Sequence, residues 1–384
     1  WLWFRIYFES GVVKMASGDP EWRHLTALYQ YYSNGPLPDW IGWYAQHLPH
    51  SFNAALALLT LVTELGLVWL FFLPRRFRLV CFFLVTPFQI GIILTANLAF
   101  LNYFVLALGF LLLDDKFLQH LRPAVSTMRV ESEGRLWRAV SRWWRSPGRV
   151  PAGSGLIRQT GQAGQAAAPA GTLVPPALSS AYRHAAMVIS GFLLSWVFYV
   201  DTALLLLLLL PKLPLPVFPI AALEPFRIAN QYGLFAVMTT ARYEIEFQGS
   251  QDGKTWLAYP FLYKPQNPRQ APRIYAPYQP RFDWNLWFAS LGTWRQYPFV
   301  VRTEVLLLLN DPSVLSLFAG NPFGSKPPRF VRTVTWQYWF TSLKTMRTQG
   351  LWWRRKLLGL YAPIVERLAD GRLGIVQTPE EGSP

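Results

Sequence analysis

The stretch that decides the fold is residues 51–73, which read SFNAALALLTLVTELGLVWLFFL. Its only charged side chain is Glu64. At 1.5 Å per residue, a helix of this length is about long enough to cross the roughly 30 Å hydrocarbon core of a bilayer. Three further apolar stretches, at 79–95, 98–113 and 185–210, are almost free of charge. The chain is therefore predicted to contain a polytopic α-helical membrane bundle.

The composition supports a membrane protein and argues against most soluble enzymes. Hydrophobic residues make up 52% of the chain and charged residues 15%, against about 25% charged in soluble domains. The formal net charge of +15 does not indicate a nucleic-acid partner, because the basic residues lie where membrane topology places them. The single cysteine, Cys81, excludes an internal disulfide. Membrane lipids are the expected partners.

The arginines set the expected orientation, because short basic loops stay in the cytoplasm. Residues 74–78 read PRRFR, and residues 121–183 carry a further train of arginines. The intervening turn at residues 96–97 has none. Spans that alternate according to this pattern leave residues 9–50 and everything after Pro211 together on the extracytoplasmic side.

These boundaries divide the chain into five predicted parts. They are a transmembrane bundle at 1–120 with the extracytoplasmic loop 9–50, a cytoplasmic linker at 121–183, the last transmembrane helix at 184–211, an extracytoplasmic domain at 212–367 and a tail at 368–384. Residues 1–8 read as the end of a helix whose beginning is missing. The linker is basic in its first half, where Trp137, Trp143 and Trp144 among arginines predict an amphipathic helix on anionic headgroups. Its second half is rich in Gly, Ala and Pro, which is typical of disordered chain.

The extracytoplasmic domain shows strand periodicity in three places. Residues 243–248 and 329–340 alternate polar and apolar side chains, as half-buried strands do. Residues 255–263 repeat the alternation after a turn at 249–253, where glycine can supply a positive φ. The pattern predicts an α+β domain with an antiparallel β-sandwich-like part.

Helices are predicted at three places in the same domain. Asp283 can cap one, Asp311 with the following proline can start a second, and residues 352–355 are expected to open a last one. Tryptophan is dense here: Trp284, Trp287, Trp294, Trp336, Trp339, Trp352 and Trp353. These rings either build the core and seat the domain on the headgroup layer, or form an exposed groove for apolar segments of a client protein.

Several motifs resemble the lipase maturation factor family. In the first loop they are Ser10-Gly-Val-Val-Lys14, Ser17-Gly-Asp-Pro-Glu-Trp-Arg23, Leu25-Thr-Ala-Leu28 and Pro36-Leu-Pro38; around the spans they are Glu64, Asn97, Phe100-Leu-Asn102 and Leu113-Asp-Asp115. In the outer domain they are residues 225–235, 244–253, 276–284, 329–332 and 352–354. The resemblance covers nearly the whole chain except the linker and the last residues. One departure is Tyr31-Tyr-Ser-Asn-Gly35, where many members have His-Tyr-Glu-Thr-Gln.

The resemblance implies a membrane chaperone that helps exported proteins, lipases among them, to fold, without a cofactor and more as a binding protein than as an enzyme. Eukaryotic members sit in the endoplasmic reticulum; the lack of an Asn-x-Ser/Thr acceptor favours a bacterial member in the inner membrane. A weaker resemblance is to vitamin K-dependent carboxylase, in the order Gly-Val-Val-Lys, Asp-x-x-Trp and an acidic residue in the next span. That alternative makes Lys14 a catalytic base. The client and the oligomeric state stay open.

Two sets of side chains are candidates for function. Lys14 either acts as a base or binds headgroups or a nearby acid. Glu64 is expected to pair with a basic residue, Lys14 first and Arg5 or Arg23 as alternatives, because an unpartnered carboxylate in a span is costly. The predicted polar site comprises Lys14, Asp19, Trp22, Arg23, Glu64, Asn97 and Asn102. The predicted client surface comprises Asp252, Trp256, Arg281, Asp283, Trp284 and Trp339. The histidines lack metal-ligand spacing, so no metal site is predicted.

Overall fold

The structure, a computed structural model, describes residues 1–98, 100–119 and 180–380. Two compact units make up the chain: Trp1–Leu113 together with Tyr232–Pro384, and Asp114–Gln231. The predicted amphipathic and Gly/Ala/Pro-rich parts of the linker lie outside the described residues. In the first unit, a helical bundle and a sheet domain that are distant in sequence fold together.

The N-terminal part of the first unit is helical. Its helices are α1 (Leu2–Ala16), α2 (Pro20–Arg23), α3 (Ala27–Asn34), α4 (Trp40–Gln46), α5 (His50–Leu65), α6 (Arg75–Thr95) and α7 (Leu101–Gly109), with 3₁₀ turns at Leu67–Phe72 and Phe110–Leu112. The α5 helix ends at Gly66, where a Cβ would lie only 2.9 Å from the carbonyl oxygen of Val62. A residue with a side chain would have to shift the backbone there.

Three described helices are long and apolar enough to cross a membrane: His50–Phe72, Arg75–Thr95 and His184–Leu209. They confirm three of the four predicted apolar spans as helices of sufficient length. The prediction for residues 98–113 is wrong in length. The helix there is Leu101–Leu112, about 18 Å long at 1.5 Å per residue, because residues 96–98 and residue 100 are not helical.

Two aspartates define the short helices of the loop 9–50. Asp19 accepts a hydrogen bond from the backbone N–H of Glu21 at 2.9 Å and caps α2. Asp39 accepts from the backbone N–H of Gly42 at 2.6 Å and caps α4. A Cβ at Gly42 would lie 2.5 Å from the carbonyl oxygen of Thr95, at the end of α6. The loop is therefore packed closely on the bundle.

The second unit contains the predicted last span as the helix α8 (Ser180–Leu209), followed by the short helix α9 (Phe218–Ala221). The indole N–H of Trp196 donates to the carbonyl oxygen of Pro219 at 2.9 Å. The side-chain amide of Gln231 donates to the carbonyl oxygen of Leu204 at 3.1 Å. The chain after α8 thus folds back along that helix.

The C-terminal part of the first unit is built on one antiparallel sheet. Its strands are β1 (Arg242–Ser250), β2 (Leu257–Ala258), β3 (Phe330–Phe340), β4 (Trp353–Leu360), β5 (Ile364–Arg367) and β6 (Leu373–Gln377). The long β3 pairs with β1 on one side and with both β4 and β5 on the other. The predicted strands at 243–248 and 329–340 are confirmed. The predicted turn between β1 and β2 is confirmed as well, and Gly253 in it has a φ of 71°.

Helices cover one face of this sheet. They are α10 (Arg281–Ala289), α11 (Phe299–Leu308) and α12 (Pro312–Leu315), and α13 (Leu343–Gln349) follows β3. Ile245 and Phe247 of β1 pack in one apolar core with Leu307 and Leu308 of α11. The predicted sandwich-like arrangement is wrong, because all strands in the described part of the chain belong to one sheet. Helices supply the second layer.

Four local predictions in this domain also fail. Residues 352–355 do not open a helix; β4 begins at Trp353, because pairing with β3 outweighs local propensity. The second strand is only Leu257–Ala258, and the expected tail contains β6. Helix α10 begins at Arg281 with Pro280 as its N-cap, so Asp283 lies inside the first turn. The cap predicted at Asp311 is confirmed by its bonds to two backbone N–H groups.

Candidate functional site

A cavity of about 390 Å³ lies between the helices α1, α5, α6 and α7 of the bundle. Its walls are mostly apolar, with Ile6, Leu59, Leu84 and Val105 among the lining residues. The volume falls within the roughly 300–1,000 Å³ of small-molecule sites. The few polar side chains on its walls therefore decide what it can do chemically.

The predicted ion pair between Lys14 and Glu64 is confirmed and forms part of the cavity wall. The Lys14 Nζ lies 2.8 Å from each carboxylate oxygen of Glu64 and 3.4 Å from the carbonyl oxygen of Ser10. The same ammonium lies 5.1 Å from the centre of the Trp22 ring, a cation–π distance. Both charged side chains are buried. The pair connects α1 to α5 and leaves no net charge at this point of the wall.

Close packing at Gly11 makes this pairing possible. A Cβ at Gly11 would lie 2.9 Å from the Cβ of Glu64 and from side-chain atoms of Leu65. Because glycine has no side chain, α1 approaches α5 near enough for Lys14 to reach the carboxylate. In the motif Ser10-Gly-Val-Val-Lys14, the glycine thus has a packing role.

A second polar group on the wall is a hydrogen-bonded chain across three helices. The Tyr7 hydroxyl donates to Gln89 Oε1 at 2.6 Å, and Gln89 Nε2 donates to Asn102 Oδ1 at 2.8 Å. These bonds link α1, α6 and α7, as interhelical amides do in membrane bundles. Asn102, a member of the predicted polar site, thus takes part in an interhelical hydrogen bond.

Tyr31 lines the loop end of the same cavity. Its hydroxyl oxygen is buried and has no hydrogen-bond partner among the residues that the structure describes. Burial raises the pKa of this hydroxyl well above its ordinary value. Buried polar groups without a partner are uncommon in proteins. Sequence reasoning noted Tyr31 only as part of a departure from the family pattern.

Three of the predicted site residues, Asp19, Trp22 and Asn97, connect the loop and the bundle to the C-terminal part of the first unit. Asp19 and Trp22 bond to the segment that precedes β1, and Asn97 bonds to a segment between β2 and α10. Asp19 Oδ2 accepts from the backbone N–H of Met238, and the Trp22 indole donates to the carbonyl oxygen of Phe235 at 2.8 Å. Asn97 accepts from the backbone N–H of Ala276 at 3.0 Å and donates to the carbonyl oxygen of Arg273 at 2.6 Å. These three side chains are structural connectors. Arg23, by contrast, is exposed.

Arg242, which sequence reasoning missed, is the most connected residue of this junction. Its buried guanidinium donates to the carbonyl oxygens of Ser33, Gly35 and Pro36 in the loop. It also pairs with Glu244, whose other carboxylate oxygen lies 2.8 Å from Lys264 Nζ. The only signal in the sequence was an arginine directly before the alternating run at 243–248, and its burial is seen only in the structure.

Burial also changes the titration of an acid beside this junction. Asp39 is buried, and desolvation raises its pKa from 3.8 to about 6 although the backbone N–H groups of Gly42 and Ile41 oppose the rise. The ionised carboxylate is therefore destabilised in the folded protein relative to an exposed aspartate.

The face of the sheet opposite α11 carries a row of half-buried tryptophan and arginine side chains, which we call the Trp/Arg row: Trp256, Arg332, Trp336 and Arg355. The guanidinium of Arg332 lies 4.0 Å from the Trp256 ring centre, and that of Arg355 lies 4.2 Å from the Trp336 ring centre. Glu246 accepts from the Trp336 indole and from Arg355, both at 3.1 Å. These contacts hold the rings and guanidinium groups in fixed positions.

The residues predicted as a client surface do not form one surface. Trp339 is three residues from Trp336 on β3, and side chains an odd number apart on a strand point to opposite faces. Asp283 is buried and accepts from the backbone N–H of Lys264 at 3.1 Å, and desolvation raises its pKa. Asp252 lies in the exposed turn, where backbone N–H groups of Thr255 and Lys254 lower its pKa.

Trp256 belongs to the Trp/Arg row, whereas Arg281 and Trp284 lie on α10. Arg281 is exposed at the first position of that helix. The predicted set is thus spread over a turn, a helix and both faces of the sheet.

The geometry does not support Lys14 as a catalytic base. A base needs a free nitrogen lone pair, and the protons of this ammonium are directed at both oxygens of Glu64. In residues 1–98, 100–119 and 180–380, no cluster of three His, Cys, Asp or Glu side chains could hold a metal ion. The arrangement is suited to binding and bracing.

Comparison with known proteins gives two family matches. Residues 1–120 match the lipase maturation factor transmembrane domain, and residues 228–363 match the lipase maturation factor C-terminal domain. The two matches fall on the helical bundle and on the sheet domain. The carboxylase alternative receives no support from them.

Individual relatives agree with the family matches. The chain is 30% identical to lipase maturation factor 2 of Gallus gallus over 95% of its own length and 59% of the relative's. It is 30% identical to lipase maturation factor 1 of Bos taurus (96% and 60%) and 31% identical to lipase maturation factor 2 of Homo sapiens (95% and 59%). The chain thus spans about 60% of the length of these relatives. No solved structure matches, and these animal relatives give no support to the expected bacterial inner membrane.

Proposed function

Because the chain belongs to the lipase maturation factor family, we propose that it is a membrane-embedded maturation factor that helps exported lipases to fold. The observation that carries the proposal is the similarity to lipase maturation factors 1 and 2, which extends over about 95% of the chain. Folding assistance requires binding surfaces rather than catalytic groups. The braced Lys14–Glu64 pair and the Trp/Arg row are consistent with that requirement.

We place the loop 9–50 and the sheet domain on the exoplasmic side of the membrane, which is the lumen of the endoplasmic reticulum in a eukaryotic cell. Two observations support this arrangement. The loop and the sheet domain share buried hydrogen bonds, so both must lie on the same side. The arginines at 75, 76 and 78 favour the opposite side for the connection that follows α5. An exported client would then meet both elements together.

We assign client binding to the Trp/Arg row. Tryptophan and arginine are enriched among the side chains that dominate binding energy at protein interfaces. Here, cation–π contacts and Glu246 hold them in place, so binding would order few additional side chains. Asp252 in the exposed turn and Arg281 on α10 stay candidate client contacts outside this row.

The test uses the full chain expressed together with a secreted lipase in cells that lack their own maturation factor. We expect Trp336→Ala to reduce secreted lipase activity about tenfold or more, since truncating an interface anchor costs roughly 2 kcal/mol. The matched control is Trp339→Ala, on the opposite face of the same strand, where the ring pairs with Arg354 at 4.9 Å. This control should keep most of the activity.

Membrane levels of both variants are measured, so that loss of folding is separated from loss of client binding. Equal losses in the two variants at equal membrane levels would show that the Trp/Arg row is not the client surface. No rescue of lipase activity by the wild-type chain would reject the maturation function itself.

A further inference from the structure

The cavity of the bundle has an apolar wall on the outer surface of the membrane-crossing helices. Leu59 of α5 and Leu84 of α6 line the cavity and are 42% and 49% exposed. Both belong to helices long and apolar enough to cross a bilayer. The hydrocarbon around these helices is therefore the medium from which an apolar ligand would enter.

The polar end of the cavity is neutral in charge and offers hydrogen-bond partners. Lys14 directs its protons to Glu64 and to the carbonyl oxygen of Ser10. A carboxylate has about four acceptor positions, so Glu64 can still accept a further hydrogen bond. The Tyr31 hydroxyl, which lacks a partner among the described residues, can donate and accept.

These features distinguish between lipid classes. A fatty-acid carboxylate cannot donate a hydrogen bond to Glu64, and its charge would be repelled by that side chain. A diacyl phospholipid brings a charged phosphate and a second chain to a cavity of about 390 Å³. A hydroxyl group, by contrast, can donate to a carboxylate such as that of Glu64 and can accept from a hydroxyl such as that of Tyr31.

We propose that the cavity binds a neutral, hydroxyl-bearing lipid with a single acyl chain, such as a monoacylglycerol, taken from the bilayer. The acyl chain lies along the apolar wall formed by α5 and α6. The hydroxyl end lies at the Lys14–Glu64 pair and Tyr31. This site is separate from the Trp/Arg row and does not depend on the identity of the client.

A glycine in the cavity wall allows a sharp test. Gly91 of α6 lines the cavity, and a Cβ there would have no neighbouring atom within 4 Å apart from its own helix. Gly91→Leu therefore fills space that the ligand would use, and leucine favours a helix more than glycine does. Gly191 of α8 is the matched control, since its Cβ also meets nothing within 4 Å and it is outside the cavity lining.

The experiment uses the full chain in phosphatidylcholine nanodiscs with a monoacylglycerol that carries a photoreactive diazirine in its acyl chain. Crosslinked peptides are identified by mass spectrometry. We expect saturable labelling of peptides from α5 and α6, reduced at least about tenfold by Gly91→Leu and unchanged by Gly191→Leu. Tyr31→Phe, which removes one hydroxyl without breaking a bond seen in the structure, should weaken binding roughly 3- to 10-fold.

Competition then identifies the headgroup. Unlabelled monoacylglycerol should displace the probe, whereas a fatty acid of the same chain length should compete at least about tenfold less well. Labelling that Gly91→Leu leaves unchanged would overturn the cavity as the site. Equal competition by the fatty acid would overturn the neutral hydroxyl headgroup. Because no lipase is present, either failure is distinct from a failure of the maturation function.

Discussion

Replacing Arg242 by methionine tests whether the loop and the sheet domain are held together as one unit. The buried guanidinium donates to three carbonyl oxygens of the loop, and each lost bond costs about 1 kcal/mol. Glu244 keeps its ion pair with Lys264 at 2.8 Å, so its charge is not left entirely unpaired. Arg242→Met is therefore expected to lower the free energy of unfolding by about 3–5 kcal/mol, the range for breaking a buried ion pair. At roughly 2 °C per kcal/mol, the Tm should fall by about 6–10 °C.

The assay is thermal unfolding of the purified full chain in one detergent, combined with limited proteolysis of the loop 9–50. The matched control is Arg329→Met, which removes an ion pair with Glu366 at 2.7 Å from a side chain that is 59% exposed. Exposed pairs contribute about 1 kcal/mol or less, so this variant should shift the Tm by about 2 °C at most. Equal Tm shifts in the two variants, or a loop that stays protected in Arg242→Met, would refute the assignment of Arg242 as the connector.

Two further predictions concern the bundle and the loop. Gly11→Ala places a Cβ 2.9 Å from Glu64 and Leu65, so it should lower the free energy of unfolding by about 1–3 kcal/mol and lower the Tm. The control Gly91→Ala, whose Cβ meets no neighbour, should not lower the Tm. An unchanged Tm for Gly11→Ala would contradict the close packing of α1 on α5. The raised pKa of Asp39 means that the folded protein binds this proton more tightly than the unfolded chain does, so its contribution to stability falls as the pH rises from about 4 to about 6. Asp39→Asn keeps a helix cap and should remove that part of the pH dependence of the free energy of unfolding, which is on the order of 3 kcal/mol at 1.36 kcal/mol per pKa unit. Parallel curves of stability against pH for the wild-type chain and Asp39→Asn would reject this role of Asp39.

The parts of the fold that could be predicted are those in which one physical effect dominates. Hydropathy identified α5, α6 and α8, because few sequences other than membrane spans carry such long uncharged stretches. Strict alternation identified β1 and β3, which lie at the centre of the sheet. The cost of an isolated carboxylate in a span was enough to predict the partner of Glu64.

The missed parts depend on contacts between residues far apart in sequence. Residues 353–360 form a strand because β3 offers a free edge, which the tryptophan and arginine residues there do not indicate on their own. The Trp/Arg row needs Arg332 and Arg355 to meet tryptophans on other segments. The cavity depends on how four helices pack, and hydropathy reports only that each helix is apolar.

The junction at Arg242 also constrains the order of events during synthesis. Arg242 bonds to Ser33 across a sequence separation of 209 residues. At roughly 5–20 residues per second, the ribosome needs about 10–40 s to extend the chain from one residue to the other. During that interval the loop carbonyls that Arg242 will satisfy have no access to it, and the first membrane helices are already made. The loop 9–50 is thus synthesised well before the residue that completes its buried hydrogen bonds.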